Sequence, residues 1–113
     1  MNEQEILLEL AAKAIRMETS LLPSESDPNR PHKRPWQIED SEWNPLTNDG
    51  DAFRLAIELG IEIHPDNEIA EVHTAYVAGW LGYNKFEEYG DDKFAATRRV
   101  IVRSAAHIGE LMP

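Results

Sequence analysis

Pro23, Pro28, Pro31 and Pro35 crowd into one stretch of a chain of 113 residues. Proline offers no backbone N–H and pushes its predecessor out of the helical region. No regular helix therefore crosses residues 19–40, and whatever folds must do so on either side. Between the prolines lie Ser24, Ser26, Asp27 and Asn29, all turn formers. The expected organisation is a single domain over 1–113: an N-terminal helix at 1–17, an irregular arm at 18–42, and a core at 43–113. The arm carries Arg30, His32, Lys33 and Arg34, read as a solvated loop that locally offsets an acidic body. Trp36 and Ile38 have the period-two spacing of a short edge strand.

Before the arm, Leu7, Leu10, Ala11, Ala14 and Met17 recur at three- and four-residue steps. That spacing places them on one helical stripe, with Asn2 as the cap and Glu3 and Glu5 at the positive end. After the arm, Asn44-Pro45 starts a turn and Asn48-Asp49-Gly50 supplies capping residues. A helix follows, burying Ala52, Leu55, Ala56 and Leu59, and Gly60 stops it. Trp43 and Leu46 are expected to lock the entry loop onto the core.

Ile61-Glu62-Ile63-His64 alternates as a half-buried strand does, Pro65–Glu68 turns, and Ile69 to about Trp80 returns. Gly79 to Gly90 is expected as an aromatic-rich loop. The last helix runs from Asp91 to about Met112, with Phe94, Ile101, Ala105, Ile108 and Met112 on its stripe and Arg98, Arg99 and Arg103 toward solvent. The predicted fold class is α+β: a small antiparallel sheet packed with about three helices, plus the proline-rich irregular arm. One interior should gather Trp43, Leu55, Leu59, Ile61, Ile63, Phe94, Ile101 and Ile108.

The run Trp43-Asn44-Pro45-Leu46-Thr47-Asn48-Asp49-Gly50-Asp51-Ala52-Phe53-Arg54-Leu55-Ala56 resembles the signature of the phage ABA sandwich domain proteins. Ala96 to Ala106 is similar to the C-terminal helix of the same proteins, and the likeness covers roughly residues 43–111 and the first helix. A more distant similarity is to the nin-region accessory proteins of lambdoid phages. The resemblance implies a small sheet with helices packed on it, in a phage or prophage protein. It brings no reaction and no catalytic residues.

Charge and composition narrow the function classes. Twenty-one acidic and eleven basic side chains give a formal charge of −10. Such an excess repels nucleic-acid phosphates and favours a basic protein partner. With no cysteine there is no disulfide, thiolate metal site or cysteine nucleophile. No apolar run approaches the ~20 residues that span a bilayer, and the opening residues lack a secretory signal's positive charge. The cytoplasm of a bacterial host is the expected location, without direct nucleic-acid or membrane contact.

No catalytic or cofactor-binding residue is assigned, and no cofactor is expected. Asp49 and Asp51 read as helix caps rather than an acid–base pair. His64 and His73, with Glu62 and Glu71, are the candidate metal ligands, since imidazoles and carboxylates on adjacent strands suit a divalent ion. Trp80, Tyr83, Phe86 and Tyr89 are the candidate partner-binding residues, because Trp and Tyr anchor protein interfaces. The functional expectation is an accessory protein of phage or prophage type that binds another protein. Its sharper form is an acidic inhibitor of a host nucleic-acid-handling or defence protein. The competing readings are a small divalent-metal-dependent enzyme and a structural homo-oligomer.

Overall fold

The computed structural model describes residues 2–20 and 43–112, with the backbone alone for 16–20. The basic cluster at 30–34, Trp36, Ile38 and the course of the arm from 21 onward lie outside the described residues, as does the side chain of Met17. The described elements are α1 (Glu3–Ser20), α2 (Asp49–Leu59), β1 (Glu62–Asp66), β2 (Glu71–Ala78), β3 (Leu81–Glu88) and α3 (Lys93–Glu110). The three strands form an antiparallel meander in the order β1-β2-β3. The fold is therefore α+β, with three helices and one small sheet among the described residues. None of these helices is long and apolar enough to cross a membrane.

Local chemistry accounts for all three helix starts and for the end of α2. Asn2 caps α1 by accepting from the Glu5 N–H at 2.8 Å. The helix runs three residues beyond the expected end at Met17, because nothing in Glu18-Thr19-Ser20 forbids it and the first proline is Pro23. Asn48 caps α2 by accepting from the Asp51 N–H. At the other end Gly60 adopts φ 66°, its N–H reaching the Ile57 carbonyl while the Ile61 N–H reaches Ala56. Those two bonds form a Schellman motif, which hands the chain directly to β1. Asp92 caps α3 through the N–H groups of Phe94 and Ala95.

β3 corrects the sequence expectation. Gly79–Gly90 is not a loop, because eight of its residues form a full strand paired to β2. The connection is only Gly79-Trp80, with Ala78 paired to Leu81. Gly79 takes φ 64° and Trp80 a negative φ, the pattern of a type II′ hairpin turn whose twist matches that of the strands.

α3 is the hub, packed against α1, α2, β2 and β3. The main core joins Ala11, Ile15, Ala52, Leu55, Ala56, Ile61, Tyr76, Ile101, Val102 and Ala105, with Trp43, Leu46, Leu59, Ile63 and Ile108 packed on it. Of the eight residues expected to share one interior, Phe94 alone departs. It is 62% exposed in the first turn of α3. A smaller cluster, Val72, Ala96 and Val100, meets the main core through Ile63.

α1 and α3 approach through small residues. Ala11, Ala14, Ala105 and Gly109 are all buried, and a Cβ on Gly109 would lie 2.0 Å from the Leu10 carbonyl oxygen. The Lys13 ammonium also reaches the Met112 carbonyl at 3.0 Å.

Candidate interaction face of the sheet

Strand alternation divides the sheet into two faces. The inner face, Ile63, Val72, Thr74, Tyr76, Tyr83, Lys85 and Glu87, is turned toward α3. Along β2 it follows a stripe of the helix. Val72 clusters with Val100, Thr74 bonds Ser104, and Tyr76 bonds His107. Four residues of strand span about 13 Å and seven of helix about 10 Å, so the two repeats stay nearly in step over this length.

The polar members of this seam are satisfied. Ser104 Oγ gives its one proton to the Val100 carbonyl at 2.7 Å, so Thr74 Oγ1 is the donor in their mutual 2.7 Å bond. Tyr76 and the Nδ1 of His107 are 2.5 Å apart. Burial pushes the Tyr76 hydroxyl up to about 12, with the Arg103 charge opposing and Tyr83 adding to the rise. Tyr76 therefore keeps its proton at neutral pH and can donate it to Nδ1 when the imidazole's own proton is on Nε2. Tyr83 packs edge-on against His107, centroids 4.6 Å apart, and stacks on Tyr76.

At the rim, Glu87 pairs with Arg99 at 3.0 Å and with Arg103. Arg103 also donates to the Phe86 carbonyl, so a guanidinium blunts the free edge of β3. Arg98 ties α3 to the entry loop through Asp49 and the Leu46 carbonyl. Asp51 accepts from the Asn44 N–H, and Asn44 in turn accepts from Leu46. Both aspartates act as fasteners of the Trp43–Ala52 loop, and the three arginines are engaged rather than merely solvated.

The outer face has no described helix over it. Register arranges it in rows: Asp66, Glu71 and Glu88; then His64, His73 and Phe86; then Glu62, Ala75 and Asn84; then Val77 and Gly82. Beyond the last row stands Trp80. Comparisons with protein-family models, with curated proteins and with solved structures returned no match. Function must therefore be argued from the side chains themselves.

The candidate metal ligands share this outer face, with His64 and His73 directly opposite one another. His73 is engaged by Glu71 at 3.2 Å and stacks on Phe86, centroids 5.7 Å apart. Among the described residues no three ligand-type side chains are grouped closely enough to hold a metal.

The four aromatic candidates separate. Tyr83 faces inward. Tyr89 lies half-buried against Val72, Ala96 and Val100, with its hydroxyl on Asn67. Trp80 is wholly exposed and Phe86 is 54% exposed. Sequence reasoning overlooked Val77 and Leu81, which are exposed beside Trp80, and the Tyr76–His107 and Thr74–Ser104 pairs. The Ala78-Gly79-Trp80-Leu81 turn was the available signal, since glycine first in a two-residue loop marks a type II′ hairpin.

Proposed function

We propose that this chain is a protein-binding module whose contact surface is the hairpin tip and the outer face of the sheet. One observation carries the reading. Trp80 is fully exposed on a tight two-residue turn, with Val77 and Leu81 each more than half exposed beside it, and Phe86 is exposed farther along the outer face, opposite His73. Large apolar groups gathered on a surface mark an interaction site, and tryptophan is the residue most enriched among interface anchors. A short hairpin holds that anchor at low entropic cost, so little order is lost on binding.

The acidic balance and the phage-type likeness of residues 43–56 agree with an accessory protein that occupies a host protein rather than catalysing a reaction. The test is affinity capture from bacterial lysate with the full chain, against a Trp80→Ser/Phe86→Ser variant. Proteins retained by the natural chain and lost from the variant identify the partner. Equal recovery on both would mean that neither the hairpin tip at Trp80 nor the outer face around Phe86 is the contact surface.

A further inference from the structure

We infer that the outer face receives a protein segment that is basic at one end and apolar at the other. This rests on the reading of that face as a contact surface and adds the chemistry of the occupant. The rows form a gradient. Asp66, Glu71 and Glu88 make one row of three carboxylates across the three strands, and Glu62 adds a fourth two rows on. Val77 and Trp80 occupy the opposite end, while Phe86 lies one row from the carboxylates, opposite His73. Among the described residues, no lysine or arginine belongs to this face. Lys85 has the inner parity, and Arg98, Arg99 and Arg103 are tied to the entry loop, Glu87 and the Phe86 carbonyl.

This distribution chooses among occupants. A second copy docked face to face would bring four more carboxylates and, among the described residues of that face, no lysine or arginine, and uncompensated like charge across an interface is unfavourable. A nucleic acid would meet the same repulsion. The face is also small. From Glu71 to Val77 is six residues, about 20 Å, and three strands about 4.8 Å apart make it little wider than 10–15 Å. That falls well short of the ~800 Å² per partner of a stable domain–domain interface. A single segment fits it, with lysine or arginine over the carboxylate row and an apolar side chain about 20 Å away, six residues apart if extended.

The test uses the full chain and a synthetic ten-residue peptide with Arg at alternate positions of one half and Leu and Trp in the other. A control peptide carries Glu in place of Arg. Binding is read by amide chemical-shift changes and by fluorescence anisotropy of labelled peptide at 50 and 300 mM NaCl. The Arg peptide is expected to shift outer-face amides from Glu71 to Leu81, to weaken at least fivefold at the higher salt, and to outbind the Glu peptide at least tenfold. Asp66→Asn/Glu71→Gln/Glu88→Gln should remove most of that preference. Glu88→Gln alone, at an exposed strand end, should remove part of it should the triple variant fold poorly.

Retention of the full preference in a folded charge variant would overturn the inference while leaving the contact surface standing, provided Trp80→Ser/Phe86→Ser still weakens both peptides. Binding unaffected by either set of changes would remove the contact-surface reading itself. No amide shifts at millimolar Arg peptide, or a dimer by light scattering that Trp80→Ser dissolves, would overturn the chosen occupant.

Discussion

Tyr76 and His107 are thirty-one positions apart in the chain and 2.5 Å apart in the fold, and the burial of Tyr76 there has a consequence in alkali. The hydroxyl loses its proton near 10 in an unfolded chain and at about 12 in the fold, chiefly because burial disfavours the phenolate. Between those values the folded state holds more protons than the unfolded state, so stability falls as pH rises through that window. Two units correspond to at most about 2–3 kcal/mol. Urea titrations of the natural chain and of Tyr76→Phe at pH 8, 10 and 11.5 should show the natural chain losing more stability across the series. Parallel losses in the two proteins would show that Tyr76 does not carry the alkaline sensitivity. Thr74 and Ser104, one strand step and one helical turn away, form a fully buried hydroxyl pair. Neither partnership was legible in the sequence, because a lone Thr, Ser, Tyr or His shows its partner only once β2 and α3 are laid side by side.

At the scale of elements, the helices were legible and one strand was not. Asn2, Asn48, Gly60 and Asp92 fix backbone donors and acceptors within a few residues of themselves, so their effect can be read locally. β3 depends on distant groups. Its inner positions include Lys85 and Glu87, polar residues that break the apolar alternation, and Glu87 is held there by Arg99 and Arg103 from α3. With Gly82 also in the strand, the stretch reads as a loop until that helix is in place. The α1–α3 contact was half legible. The alanine stripe was visible, but how closely the helices approach was not. Gly109 sets that distance. A Cβ there would meet Leu10 backbone at 2.0 and 2.9 Å, and backbone cannot swing aside. Alanine would gain up to ~1 kcal/mol of helix propensity. Overpacking costs typically ~1–3 kcal/mol, and more where no side chain can yield. Gly109→Ala should therefore be destabilising in urea titration, with a changed slope if α1 undocks. An unchanged or higher midpoint would mean that the helices are farther apart than described.

Over the whole molecule, charge is sorted as well as unbalanced. Arg98, Arg99 and Arg103 are drawn to Asp49, Glu87 and backbone carbonyls, fastening α3 to the entry loop and to β3. The outer face is left acidic, which the composition could not disclose, since a net charge says nothing of where it lies. Two opposing salt effects follow. Screening weakens the three partly exposed ion pairs, each worth ~0–1 kcal/mol. It also relieves self-repulsion among the excess carboxylates, a net −10 on a chain of 113 residues. The Debye length falls from about 30 Å at 0.01 M to about 10 Å at 0.1 M. Repulsion among carboxylates dispersed over the surface is thus screened more strongly than contacts of about 3 Å. The second effect should win, so Tm at pH 7.5 should rise by a few degrees between 10 and 300 mM NaCl. Near the sequence isoelectric point of about 4.7 the net charge vanishes, and the same salt step should leave Tm flat or lower it. A fall in Tm at pH 7.5 would mean that the arginine fasteners outweigh the acidic excess in holding the fold together.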